Sequence, residues 1–211
     1  MGGLGATLAE ELRAVSALEA AAVATAIAYL VLAIRQNTWC WPSACVSAAI
    51  YIFLFLDARL YMEAVLNGFY LAMAFYGWFA WLGGGTDSSG EMPVTRWPWP
   101  RHAAAISAIA LLAAMNGWLL ATHTDAAFPY VDSLTTWAAI WTTFLVARKV
   151  FENWWYWLAI DSVSIVVYWL RGLELTALLF VLYVAMIPVG IAAWRRSLAR
   201  TAGARAAAGS P

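Results

Sequence analysis

Phe69–Trp81 reads FYLAMAFYGWFAW, and Leu182–Trp194 reads LYVAMIPVGIAAW. Laid one on the other, the two stretches agree at Tyr70 and Tyr183, Ala72 and Ala185, Met73 and Met186, Gly77 and Gly190, Ala80 and Ala193, and Trp81 and Trp194. A second echo lies upstream, where Asn37, Trp39 and Trp41 recur as Asn153, Trp155 and Trp157. Ala, Trp and Gly are common in this chain and match by chance. Tyr, Met, Gly and Trp falling in one register weigh against that explanation. The chain reads as a duplicated unit, and duplication in an apolar chain points to transport.

The composition is 64% hydrophobic and 11% charged, against about 25% charge in an ordinary soluble domain. Several apolar runs reach the roughly 20 residues needed to cross about 30 Å of hydrocarbon as helix. Alternating strand patterns are absent, which argues against an outer-membrane barrel. The fold class is therefore all-α integral membrane. The formal net charge is zero and implies no nucleic-acid partner. Cys40 and Cys45 share one apolar run and read as free thiols. Glu10 and Glu11 precede the first apolar run without a basic segment, so no cleaved signal peptide is expected. Ala6 stands where a myristoylation start requires Ser or Thr.

Seven spans are expected, over residues 17–34, 40–56, 62–82, 103–121, 133–149, 154–170 and 175–194. These give an organisation along the chain. An extracytoplasmic segment (1–16) leads into a first three-helix repeat (17–82), a cytoplasmic linker (83–102) and a linker helix (103–121). A second three-helix repeat (133–194) and a disordered basic cytoplasmic tail (195–211) follow. One side carries Arg35, Arg96, Arg101, Arg148, Lys149 and the tail residues Arg195, Arg196, Arg200 and Arg205. The other carries Arg13, Arg59 and Arg171. This bias places the N-terminus outside and the C-terminus in the cytoplasm. Corresponding helices are four crossings apart, so the two units run parallel: a 3+1+3 repeat.

Asp161 is the one acid deep in a span. A carboxylate there costs about 2.5–3.5 kcal/mol on insertion scales, so it should face a cavity or a cation; the competing reading is a protonated or hydrogen-bonded structural Asp. Ser162 and Ser164 flank it. The offset set by Asn37 and Asn153 makes Cys45 its counterpart. Fourteen tryptophans are the second signal. Trp97, Trp99 and Trp194 suit interfacial belts. Trp78, Trp141, Trp157 and Tyr70 lie near polar neighbours within spans. Aromatic walls with one anion suit a flat organic cation, whereas packing alone is the alternative for any single Trp. Asn67 and Asn153 are read as ligand-facing or as helix–helix hydrogen-bonding groups, and Asn116 is a further polar residue of the spans. Gly68 and Gly77 allow close helix approach, and Pro188 predicts a kink.

No HExxH, GxSxG, CxxC or paired-aspartate motif is present, and no enzyme is expected. His102 and His123 lie at opposite ends of the fourth span, so neither a metal nor another cofactor is expected. Lys149, the only lysine, sits at a span edge, where it cannot carry a retinal Schiff base.

The strings YGWFAW at Tyr76–Trp81, ARKVFENWWYW at Ala147–Trp157 and FPYVDS at Phe128–Ser133 resemble the PnuC family of bacterial vitamin transporters. The resemblance covers residues 17–194. It implies a SWEET-like 3+1+3 fold, an inner-membrane location, and facilitated diffusion with the substrate trapped by a cytoplasmic kinase. It also implies that Trp154 and Trp157 hold the ligand. Nicotinamide riboside members carry Gln and Asn on the third helix and Asn on the sixth; here those positions are Asn67, Ala74 and Asp161.

The expected function is uptake of nicotinamide riboside, with thiamine as the alternative cargo. Riboflavin, being neutral, suits Asp161 less well. The expected substrate-binding residues are Asp161, Trp154, Trp157, Asn67, Tyr70, Trp78 and Asn153. A heptahelical sensor that binds ligand without moving it is the alternative of another class, and the sequence leaves homo-oligomerisation open.

Overall fold

The computed structural model describes residues 17–57, 61–84 and 92–208. The expected segment 1–16, Arg13, Arg59, the Gly/Ser part of the linker and the Arg205 side chain lie outside the described residues. Seven helices are found among the described residues: α1 (Ala17–Ile34), α2 (Cys40–Asp57), α3 (Tyr61–Gly83), α4 (Trp99–His123), α5 (Pro129–Ala147), α6 (Asn153–Leu170) and α7 (Glu174–Ala208). Proline sits in the first turn of α4 and of α5, where its missing N–H has no intrahelical partner to lose. Helix α7 continues through Ala208. The tail expected to be disordered is thus helical that far.

Five helices are long and apolar enough to cross a membrane by length and composition. The other two, α5 and α6, are of similar length but are interrupted by polar residues. Helix α5 contains Asp132, Thr135, Thr136, Thr142 and Thr143; helix α6 contains Asn153, Asp161, Ser162 and Ser164.

The packing closes a ring. Helix α1 packs on α2, α2 on α3, α3 on α5, α5 on α6, α6 on α7, and α7 returns to α1. Helix α4 touches α6 at its start, where His102 Nδ1 lies 3.0 Å from the Tyr156 hydroxyl, and packs along α5. There Gly117 lets the Tyr130 ring approach to where a Cβ would stand, and Asn116 donates to Ser133 Oγ at 3.1 Å. Asn116 is thus a helix–helix contact.

The two halves are related residue by residue at a single offset of 113 positions. Among the described residues, Gln36 (φ 56°) and Lys149 (φ 46°) are the non-glycine residues with positive φ. Each ends a helix in the same hydrogen-bonded turn. Gln36 N donates to Ala33 O (3.0 Å) and Asn37 N to Leu32 O (2.9 Å); Lys149 N donates to Val146 O (2.9 Å) and Val150 N to Leu145 O (2.9 Å). This is the Schellman pattern, with its left-handed residue just past the helix end. After each turn a tryptophan, Trp41 or Trp154, lies flat against a glycine, Gly77 or Gly190, where any Cβ would overlap the ring. Each then meets a second tryptophan edge-on: Trp41 meets Trp81 (5.4 Å, 86°) and Trp154 meets Trp194 (5.6 Å, 90°).

This corrects the upstream alignment. Trp41 corresponds to Trp154, not Trp157, and Cys40 corresponds to Asn153. The counterpart of Asp161 is Ala48, not Cys45. A three-residue slip kept tryptophans opposite tryptophans because α6 opens with Trp154, Trp155 and Trp157. Trp194, expected in an interfacial belt, is fully buried because it joins the halves.

The linker is fastened to the α5–α6 turn. Thr95 N donates to Lys149 O (3.0 Å) and Phe151 N to Thr95 O (2.8 Å). Glu152 accepts from Trp97 N at 3.2 Å and lies 3.9 Å from Arg96 Nε and 3.8 Å from His102 Nε2.

Candidate functional site

Asp161 stands at mid-length of α6 with 5% of its surface exposed, and its carboxyl makes no ion pair among the described residues. A buried carboxylate without a cationic partner is costly in a membrane interior, so its surroundings decide its use. Tyr70 on α3 and Tyr183 on α7 both lie within electrostatic reach of it. These two tyrosines occupy equivalent positions of the repeat. Tyr168 stands in the same relation to Tyr70, and Tyr51 to Tyr183. An aromatic run links them on one side: Tyr168 stacks on Phe180 (5.2 Å, 18°), and Phe180 meets Tyr183 edge-on (5.7 Å, 73°). The result is one acid within electrostatic reach of one phenol from each half. Phenol faces attract a cation, and phenol hydroxyls bond either a polar ligand or a carboxylate.

The residues expected at the site divide by height. Asp161, Tyr70, Asn67 and Trp157 belong to the middle of the ring. Asn67 lies one turn from Tyr70 and is half-buried; Trp157 lies one turn before Asp161, half-buried and packed on the core. Trp154 and Asn153 lie about 10 Å further along α6, by helical rise, in the turn that joins the halves. Trp154 is 2% exposed and is held by Gly190 and Trp194. Asn153 is equally buried, and its Nδ2 donates to Val150 O at 2.7 Å. Trp78 lies two turns from Tyr70 on α3 and meets Trp39 edge-on at 5.7 Å. Gly68, expected to permit close approach, has nothing within 4 Å of where a Cβ would stand.

Tyr183, Tyr51 and Tyr168 were not foreseen. The repeat carried the signal for the first of them: once Tyr70 is placed at the site, its counterpart Tyr183 follows by symmetry. For Tyr51 and Tyr168 no sequence pattern marked the inward face.

The family model described as nicotinamide mononucleotide transporter matches residues 16–196, which takes in all seven helices up to the end of the ring. The chain belongs to that family. The PnuC resemblance read from the sequence holds, and this member is a multi-pass membrane transporter rather than an enzyme. It is 26% identical over 168 residues to the riboflavin/roseoflavin transporter RibM of Streptomyces davaonensis, covering 78% of each chain. It is 25% identical over 185 aligned positions to the nicotinamide riboside transporter PnuC of Escherichia coli, covering 76% of this chain and 77% of that one. The crystal structure of the vitamin B3 transporter PnuC superposes with a TM-score of 0.68 at 19% identity, over 87% of this chain and 82% of that chain. That likeness concerns the fold, and it agrees with the seven-helix 3+1+3 reading.

Proposed function

We propose that this family member takes up nicotinamide riboside, a flat aromatic cation, by facilitated diffusion, with a cytoplasmic kinase trapping the product. Asp161 faces the positive ring. Tyr70, Tyr183, Trp157 and Asn67 surround the ligand at mid-membrane, and Trp154, Asn153 and Trp78 shape the site towards the joined end of the ring. The observation that carries the reading is a buried carboxylate without an ion-pair partner among the described residues, within electrostatic reach of a tyrosine from each half. A proton-coupled mechanism would call for a second acid beside Asp161, and none is found among the described residues of the spans around it. The arginines gathered at the Arg35–Arg148 end of the ring support a cytoplasmic C-terminus and an extracytoplasmic N-terminus.

Thiamine is the alternative cation. Riboflavin is a second reading, favoured by the similarity to RibM and disfavoured by the uncompensated acid. Calorimetric titration of purified protein with the three compounds separates them. A cation should bind, and Asp161→Asn should weaken it about tenfold, equivalent to about 1.4 kcal/mol. Unchanged affinity in that variant removes Asp161 from the site. Riboflavin binding indifferent to the substitution selects the second reading. Uptake into proteoliposomes distinguishes transport from sensing, since tight binding without flux would indicate a sensor.

A further inference from the structure

The repeat supplies an internal control for the outer surface of the molecule. Between α6 and α7 runs a groove of about 690 Å³, walled by Trp155, Leu158, Ile187, Pro188, Ile191 and Ala192 and ending at Arg195 and Arg196. At the equivalent positions on α3, Phe75 stands for Pro188, Trp78 for Ile191, Phe79 for Ala192, and Leu82 and Gly83 for the two arginines. The same backbone thus carries bulky aromatics in one half. In the other it carries smaller, non-aromatic residues and two charges. Adjoining the groove is a second hollow of about 460 Å³, which shares Arg196 and adds Arg35, Gln36 and Arg200.

No acidic residue lines either hollow, and none of these four arginines forms an ion pair among the described residues. Glu152, the acid nearest in sequence to Trp155, is engaged by Trp97, Arg96 and His102. Arg195 lies about 32 Å along α7 from Glu174 by helical rise, so the arginines stand at headgroup height when the groove spans hydrocarbon. Trp155, 53% exposed, has the amphipathic ring found at that height.

We propose that this groove is a binding site for an anionic phospholipid. One acyl chain lies against Pro188, Ile191 and Ala192, and the phosphate is held by Arg195 and Arg196, with Arg35 and Arg200 behind.

The test uses the full-length protein in neutral detergent, with thermal unfolding followed against added phosphatidylglycerol, phosphatidylcholine or inorganic phosphate. Phosphatidylglycerol should raise the midpoint and the other two should not. Arg195→Gln/Arg196→Gln, at exposed positions, should weaken the phosphatidylglycerol response about tenfold. Ala192→Phe copies Phe79 of the first half and should weaken it comparably with every arginine in place. Equal responses to the two lipids would overturn the proposal, as would a full response in either variant. Stabilisation by inorganic phosphate alone would assign the arginines to a soluble anion and overturn the lipid.

Discussion

Trp81 and Trp194 stand 6.5 Å apart, and each donates its indole N–H into the opposite half: Trp81 to Val146 O at 3.3 Å and Trp194 to Ala33 O at 3.0 Å. The two acceptors are equivalent carbonyls in the turns that end α1 and α5. The halves are therefore joined by a reciprocal pair of bonds about a local two-fold axis. Lys149 Nζ lies 4.4 Å from the Trp81 ring centre, an attraction that its counterpart Gln36 cannot make. Gln36 instead accepts from Ser197 at 3.2 Å.

Trp81→Phe and Trp194→Phe keep most of the ring and remove one bond each. Each should lower stability by about 1 kcal/mol, read as a fall in the thermal midpoint in detergent. The two losses should be alike. A loss confined to one variant would show that the bonds are not equivalent.

Gly77→Ala and Gly190→Ala set a methyl 2.3 Å from the Trp41 and Trp154 rings. Overpacking of this kind costs about 1–3 kcal/mol. Gly68→Ala, with open space around it, should instead be neutral or stabilising by up to about 1 kcal/mol through helix propensity. Unfolding midpoints of the three variants check the contrast, and equal destabilisation by all three would contradict it.

Tyr70→Phe and Tyr183→Phe each remove one hydroxyl near Asp161. If these phenols read the ligand, affinity should fall about threefold to tenfold, with the unfolding midpoint of the empty protein little changed. Titration calorimetry measures the first quantity and thermal unfolding the second. A large midpoint change with unaltered affinity would make the phenols structural.

Arg171 Nη2 lies 2.6 Å from Asp132 Oδ2 and ties the end of α6 to the start of α5. About a third of each side chain is exposed, so solvent screening limits its worth. A double-mutant cycle with Asp132→Asn and Arg171→Gln should give a coupling below about 1 kcal/mol. A coupling of several kcal/mol would mean the pair is shielded.

Much of the fold was legible because a membrane imposes a simple rule: about 20 apolar residues make a span. The span limits fell within a few residues of the helices, except at α7. Its extension past residue 194 is alanine- and arginine-rich, favourable to helix though not to hydrocarbon. The repeat was legible in α3 and α7, where Tyr, Met, Gly and Trp all match. Upstream it misled, because adjacent tryptophans offer several registers. The positive-φ turns at Gln36 and Lys149 and the seating of Trp41 on Gly77 and Trp154 on Gly190 fix the right one, and a non-glycine residue in such a turn leaves no mark in the sequence. Asp161 was legible as a lone acid among apolar residues. Its tyrosine neighbours were not, since Tyr70 and Tyr183 come within electrostatic reach of it only when the helices assemble.

The contrast between the helices bears on how the protein is made. Helices α1 to α4 are each apolar enough to enter hydrocarbon unaided. Helix α6 must bring Asn153 and Asp161, and α5 brings Asp132 and its threonines. Asp132 pairs with Arg171 at the end of α6, Asn153 bonds Val150 O in the turn before α6, and α5 and α6 pack on each other and on α3, α4 and α7. Since the chain emerges from its N-terminus, four self-sufficient helices are made before the two dependent ones, and α7 follows them. In a fragment that begins at α5, only α7 is apolar enough by length and composition to cross a bilayer, and α5 and α6 would lack the first-half helix, α3, that packs on α5 in the whole chain.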